Sequence, residues 1–553
     1  MSPQNVKAKW LSIAALCIIS LSTVAGGYYS SWRNPRTAIA GPDASDELTD
    51  QFKEAIEAIQ ESYAGQVDLE RLGKYSIQGM LHQLDPHSAF FTKSEFDDVQ
   101  TEQSSRIFGI GVSISRRHDR VYILSSTPGG PGYKAGLRYG DAITAVDKQN
   151  VEEWTTEQVM HRVRGERGEA VELTIERAGA QTPITVRLKR DEVKLPSVRD
   201  AFMVGQGGIG YVALTGGFSS KTDEELNEAI TRLKQEGMRQ LVLDLRGNPG
   251  GLLDEAIKVS KKFLPPGEKI VEVRGRDPQA TRNTYDVPDS NVPETMPMVV
   301  LINRRTASAS EIVAGAIQDH SRGLIVGENS FGKGLVQGIF RLWGGTGLVL
   351  TTAKYYTPSG RSIQRSYSDV SFYDYYLNRK DATKRVSDAP QGDTYHTDLG
   401  NEVFGGGGIT PDVPVKTAPF HGRLFYGVFD FVRQLVAGTI PGHREYRIAE
   451  TQYRNHLSVE DVNRYPITTE LVASFRQYIA TKPQFNVTEE AFNEALAYIQ
   501  TQLRREIMTA AYGPEAGDQV YLPDDPQFHQ AVESLDKARA LAENAARVRG
   551  DRQ

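Results

Sequence analysis

Apolar residues change their spacing several times along this chain, and each change marks a different kind of structure. Leu48, Phe52, Ile56, Ile59 and Tyr63 recur three and four apart, the period that gathers side chains on one face of a packing helix. A second helical stretch runs through 79–84 to a stop at Asp85-Pro86. Between 107 and about 192, short alternating runs at 120–124, 171–175 and 184–188, punctuated by glycine and proline, predict a small β-rich module. After Pro196, apolar runs at 209–214, 240–245, 298–302 and 323–327 alternate with helical patterns at about 223–236, 252–263 and 308–319. That alternation predicts βαβ units on a largely parallel sheet. Residues 366–404, rich in Tyr, Asp and Ser and weakly patterned, predict a surface insertion. From about 420 helical spacing returns, clearest in 489–511 and 527–548, and predicts a helical tail domain.

The N-terminus carries a different signal. Lys7 and Lys9 precede an uncharged run at 11–27, followed by a polar, proline-containing stretch, which is the pattern of an export signal. The run is near the minimum that spans a bilayer, so cleavage after a small residue such as Ala25 and retention as a single-span anchor both stay open. Either outcome predicts a location in the periplasm or cell envelope. The bland alternative, a buried helix, fits the basic flank poorly.

Composition narrows the chemistry. A length of 553 residues predicts three or four domains, and 39% hydrophobic residues suffice for packed cores. Lys plus Arg number 64 against 70 Asp plus Glu, so no basic excess exists to hold phosphate backbones, and a nucleic-acid partner is not expected. The lone cysteine, Cys17, lies in the apolar run, leaving no disulfide, thiolate cluster or cysteine nucleophile for the folded part.

Four polar or glycine-rich segments remain as candidate chemistry. The segment 303–311 (NRRTASASE) sits between a strand and a helix, where a turn exposes a hydroxyl beside free N–H groups. Ser308 followed by Glu311 also reads as a capping box that merely starts the helix. Residues 327–334 (GENSFGKG) present Lys333 between glycines; solvated it is an ordinary surface cation, buried and neutral it can take a serine proton. The same octet resembles a phosphate-binding loop, but glycine stands at 334 where a magnesium-binding hydroxyl belongs, and LVQGIFRLW after it reads as strand. The segment 244–251 (DLRGNPGG) is either a tight turn or a nest of N–H groups facing Ser308. FGIGV at 108–112 is either a hairpin loop or a carboxylate-reading loop before an edge strand.

Taken in order, GMLHQLDPHS (79–88), FGIGV through YKAGLRYGDAITAV (133–146), RGNPGG (246–251), TASASEIVAGAIQDH (306–320), GENSFGKGLVQ (327–337), TAKYYTPSGRS (352–362) and GGGGITPD (405–412) closely resemble the carboxyl-terminal processing, or tail-specific, proteases. The resemblance implies a serine endopeptidase with Ser308 as nucleophile, Lys333 as general base and Gln337 orienting the lysine. It implies backbone oxyanion donors at Gly250 and Ala309, and a supporting, structural role for Asp319. It further implies substrate-tail binding at Gly109, Ile110, Gly111 and Val112, with no metal and no organic cofactor. Thr306 stands where the family's first serine would be. His320 beside Asp319 suggests a Ser-His-Asp triad, but both fall on the helix that Ser308 opens.

The implied fold is multidomain α/β plus β: a ClpP/crotonase-like α/β protease core with an inserted PDZ domain, N-terminal helices and a C-terminal helical domain. The expected division is 1–27 signal or anchor, 44–103 N-terminal helices, 104–192 PDZ domain, 193–415 protease core and 416–553 helical domain. Expected partners are proteins with unstructured C-terminal tails; an adaptor, a homo-oligomer and membrane attachment through an uncleaved N-terminal segment remain open. The competing reading is an inactive PDZ scaffold that binds C-termini, which predicts loss of Ser308, Lys333 or Gln337. All three are present.

Overall fold

The computed structural model describes residues 42–103, 106–205, 207–276, 283–368, 375–376, 392–454 and 456–551. The expected export signal and Cys17 lie outside them, as does much of the expected insertion (369–374 and 377–391).

Strands β1 (Asp200–Val204), β2 (Ile209–Ala213), β3 (Gln240–Asp244), β4 (Met298–Ile302), β5 (Leu324–Gly327) and β6 (Val413–Pro414) form one sheet in that spatial order. β1 pairs antiparallel to β2, and every other neighbour is parallel. All five residues of β4 are buried, as expected where both faces of a parallel sheet are covered. Met298, Val300 and Ile302 pack with Leu241 and Leu243 under the helices Thr222–Gln235, Leu253–Lys261 and Ala309–Asp319. Val299, Leu301, Val242 and Val326 point the other way, onto Phe528, Ala531, Leu535 and Ala538. Those last four come from the helices Pro526–Glu533 and Leu535–Gly550 at the far end of the chain. Each buried Val or Leu contributes roughly 1.5–3 kcal/mol relative to exposure, so the C-terminal helices complete this sheet rather than decorate it.

A second, antiparallel sheet packs Val271, Val273, Ala353 and Tyr355 into the same core as Val300 and Ile302 of the first. Its order is Ala89–Phe91, Gly347–Tyr356, Lys269–Gly275 and Asn283–Asp286, and Leu335–Arg341 also pairs with the long strand Gly347–Tyr356. The ClpP/crotonase-like core expected from the sequence is therefore corrected. The chain builds a multidomain α/β plus β arrangement, with a largely parallel sheet covered on one face by C-terminal helices and an antiparallel sheet that shares the core on its other face. Local apolar alternation could not reveal this, because it does not say which strands share a sheet or which distant helices cover a face.

The β-rich region has its own core, including Ile110, Val121, Ile123, Leu137, Val159 and Leu173. In its sheet Val112–Arg117 is the edge strand, followed in space by Arg120–Ser126, Ala142–Val146, Ala170–Glu176 and Ile184–Lys189. Helices Gly422–Ala437, Thr469–Ala480 and Leu496–Tyr512 share an apolar cluster with Tyr122, Tyr139 and Ala142 of that region, and Tyr139 Oη donates to Glu506 at 2.6 Å. The helix expected around Leu48 and Phe52 forms as Pro42–Ser62. Among the described residues its apolar face is only partly covered: Leu48, Phe52 and Ile56 are exposed and Ile59 is half-buried.

Candidate active site

Ser308 occupies the turn between the carboxyl end of β4 and the helix Ala309–Asp319, with φ 57° and ψ −119°. A positive φ is costly for any residue with a β-carbon, on the order of 1–3 kcal/mol, and at a strand-to-helix turn it aims the side chain away from the helix it precedes. The Oγ is fully buried and has no hydrogen-bond partner among the described residues. A buried hydroxyl left unpaired is itself destabilising. The capping reading holds only for the other half of the box: Glu311 accepts the Ser308 N–H at 2.8 Å, while the Ser308 hydroxyl caps nothing.

Lys333 is buried rather than solvated, 4% exposed. Its Nζ donates to Gln337 Oε1 at 2.9 Å, and Gln337 Nε2 donates to the His87 carbonyl at 2.6 Å. Burial pushes the amine down to about 8, against the opposing pull of the Asp85 and Glu311 carboxylates. The strand Leu335–Arg341 follows directly, so the loop does not open a helix and the phosphate-loop reading fails on structure as well as on Gly334.

Three groups hold this pair of segments together, of which the sequence reading gave Glu311 only a capping part and Tyr355 and His87 none. Glu311, completely buried, accepts the Gly332 N–H at 2.7 Å and the Lys333 N–H at 2.9 Å as well as that of Ser308. Burial raises its carboxyl, and the converging donors oppose that rise. Tyr355 donates its hydroxyl toward the Ser308 carbonyl at 3.0 Å and toward the Lys333 carbonyl. His87, whose carbonyl anchors Gln337, is buried between Tyr375 Oη at 2.9 Å and Tyr376 Oη at 3.2 Å. Desolvation, then the nearby Lys333 and Arg365 cations, keep its imidazole well below its ordinary value. The DPHS block and the glutamate closing TASASE were visible in the sequence, but the partners that join them to other segments here lie 21 to 289 residues away.

The glycine-rich turn after β3 lies against Ser308. A β-carbon at Gly250 would sit 2.6 Å from Ser308 Cβ and 2.7 Å from the Ala307 carbonyl, so only glycine fits there, at φ 97°. The loop is stitched to the serine turn by Ala307 N–H to the Asn248 carbonyl at 3.0 Å and by Thr306 Oγ1 to the Leu245 carbonyl at 2.8 Å. The Gly250 N–H is donated to Asn248 Oδ1 at 2.9 Å, whereas Ala309 is the first residue of the helix and fully buried. The two expected donors thus stand beside the serine, one of them already engaged within its own loop.

Asp319 faces away from this chemistry. It binds Arg361 at 2.7 Å and the Ser359 N–H at 3.0 Å. The His320 ring is likewise committed elsewhere, with Nδ1 2.8 Å from Asp398 and Nε2 2.7 Å from the Lys269 carbonyl, so no Ser-His-Asp triad forms. Over 109–112, the Ile110 and Gly111 carbonyls accept N–H groups from Gly132 at 2.7 Å and Thr127 at 2.8 Å. Gly111 takes φ 66°, and the strand that follows is an open edge, the arrangement suited to a terminal carboxylate and an added strand. Among the described residues no helix is long and apolar enough to cross a membrane.

Several known proteins resemble this chain. Residues 208–370 match the family model Peptidase family S41, and residues 122–177 match PDZ domain. The carboxy-terminal-processing protease of Bartonella bacilliformis is 38% identical over 318 residues, covering 57% of this chain and 72% of that protein. A probable CtpA-like serine protease of Staphylococcus saprophyticus is 33% identical over 323 residues, covering 58% of this chain and 64% of its own length. Among solved structures, the photosystem II D1 C-terminal processing protease aligns at 30% identity over 66% of this chain and 86% of that one, with a TM-score of 0.36. The S41 match covers the segments that build both the serine turn and the lysine loop, and it too replaces the ClpP/crotonase-like description. On that match and on the identity shared with the Bartonella protease, the chain belongs to peptidase family S41, the serine-type carboxy-terminal-processing peptidases, and carries a PDZ domain that takes the C-terminal tails of protein substrates.

Proposed function

We propose that in this serine endopeptidase Ser308 is the nucleophile and Lys333 the general base, with Gln337 orienting the amine. The observation that carries the reading is the buried, unpartnered Ser308 hydroxyl, held by Glu311 on the same scaffold as a buried lysine whose amine is easily deprotonated. The neutral amine takes the hydroxyl proton as Oγ adds to the scissile carbonyl. The tetrahedral oxyanion is held by N–H groups of Gly250 and Ala309, the former released from Asn248 as the loop adjusts. Collapse expels the amine product, which receives the proton from Lys333. Water then attacks the acyl-enzyme with Lys333 again as base, freeing the new C-terminus and Ser308. Asp319 supports the fold through Arg361 rather than moving protons.

Substrate tails dock by their carboxylate at Gly109, Ile110, Gly111 and Val112 and extend along the edge strand Val112–Arg117. The chain acts in the periplasm or cell envelope, divides near 104, 193 and 416, and presents the exposed apolar face of Pro42–Ser62 to another copy or an adaptor. The deciding experiment compares Ser308→Ala, Lys333→Ala and Ser310→Ala on a protein with an apolar, unstructured C-terminus. The first two abolish cleavage in a folded protein and the third keeps it. Normal turnover by Ser308→Ala with loss in Ser310→Ala would overturn the assignment.

A further inference from the structure

The guanidinium of Arg246, four residues before Gly250, ties two distant segments together. Its Nε and Nη2 bind Asp244 at the end of β3, at 2.9 and 2.7 Å, and its own backbone N–H donates to Asp244 Oδ1 at 2.8 Å. Its Nη1 reaches a segment more than 270 residues away, binding Asp525 Oδ2 at 2.6 Å and Gln527 Oε1 at 2.9 Å. Both partners are fixed in turn. Asp525 Oδ1 accepts the Gln527 N–H at 2.9 Å as the cap of helix Pro526–Glu533, and Gln527 Nε2 donates to the Val415 carbonyl at 2.8 Å. Phe528, one residue on, packs edge-on against Tyr211, whose hydroxyl donates to Asp244 at 2.8 Å.

Asp244 alone would suffice to neutralise the arginine charge. A second carboxylate from the C-terminal helix instead fixes the remaining edge of the planar guanidinium, which a single bidentate partner leaves free to swing. The loop so fixed abuts the nucleophile at its other end, where a β-carbon at Gly250 would overlap Ser308. The family matches, at 122–177 and 208–370, do not include Asp525 or Gln527.

We propose that Asp525, seconded by Gln527, is a positioning residue for the reaction: the C-terminal helix holds the oxyanion loop in register with Ser308 through Arg246. The inference rests on the proposed roles of Ser308 and Gly250. A displacement of about 1 Å in such a loop costs up to roughly 100-fold in rate, and the contact acts on the tetrahedral state rather than on docking of the tail.

The test is Asp525→Asn in the full chain. Asparagine caps a helix as well as aspartate does, so the helix start survives while the charged contact is lost. The expected result is a kcat per titrated active site lower by about 10- to 100-fold, an unchanged KM for a tailed protein substrate, and a parallel loss of affinity for a peptide boronic acid that forms a tetrahedral adduct on serine. Phe528→Ala serves as the control, since it loosens the same helix without touching Arg246. Wild-type kcat and boronate affinity in Asp525→Asn overturn the proposal. So does an equal loss per active site in Phe528→Ala, which would make helix docking and not the ion pair responsible. Activity retained by Ser308→Ala would instead sink the underlying assignment, so the two failures are distinguishable.

Discussion

The backbone N–H groups of Ser308 and Lys333, 25 positions apart in the chain, converge on a single oxygen: Glu311 Oε2 accepts them at 2.8 and 2.9 Å. The other oxygen takes the Gly332 N–H and the Ser330 hydroxyl. Glu311→Gln removes one of these two acceptors whichever way the amide turns. A buried N–H left without a partner costs about 1–3 kcal/mol, so the variant is expected to unfold at lower denaturant and to lose kcat with little change in KM. Denaturant titration and steady-state kinetics check this; full kcat in the variant would mean that the shared carboxylate does not set the geometry.

Lys333 makes the reaction pH-dependent with a definite sign. Burial brings its amine down to about 8, and only the neutral form accepts a proton. The rate constant kcat/KM therefore rises with pH to a plateau above about 8, as a pH–rate profile would register. A profile flat between about 6 and 9 is incompatible with this base.

The same amine affects stability. Its value falls from 10.5 in the open chain to about 8 in the fold, so the unfolded state binds more protons between those limits and stability rises with pH across them. Below about pH 8 the penalty is fully present, about 3 kcal/mol at most. Lys333→Met is thus expected to be inactive yet no less stable than the parent at neutral pH, with the difference shrinking as pH climbs toward 10.5. Melting curves over that range decide it.

Arg361 is fully buried, and Asp319 is its carboxylate partner at 2.7 Å. Removing one member of such a pair strands the other charge, at a cost of roughly 3–5 kcal/mol. Asp319→Ala should lower stability by about that much, and the paired change Asp319→Leu with Arg361→Met should restore much of it. If the double variant folds well but is as inactive as the single one, Asp319 has a part in the chemistry beyond structure.

Tail docking gives a substrate-side prediction. In the proposed reading the turn at 109–112 receives the tail's carboxylate, and the strand after it is an edge of its sheet. Amidating the substrate's C-terminus should raise KM several-fold, and competition by a free tail peptide should disappear when that peptide is amidated. Identical kinetics for acid and amide would exclude recognition of the charge.

The sequence by itself determined the elements and the chemical parts. The runs at 240–245 and 298–302 and the helix after Ser308 are local consequences of apolar period, and the order of glycine, serine and lysine motifs identified the family, because backbone turns and catalytic groups require those residue types at short spacing. What only the tertiary structure decided is which parts meet. Alternate residues of β4 look in opposite directions, so an unbroken apolar run announces two covers without naming them; one proved to be helix Pro526–Glu533 from the distant C-terminus. Likewise, nothing in TASASE says that its glutamate will hold the lysine loop, and nothing in DPHS says that the His87 carbonyl will anchor Gln337. The apolar stripe of Pro42–Ser62 is the reverse case, a pattern that made the helix while the described residues leave Leu48, Phe52 and Ile56 exposed. Periodicity follows from a few neighbouring residues, whereas a buried polar contact depends on the path of the whole chain between its partners.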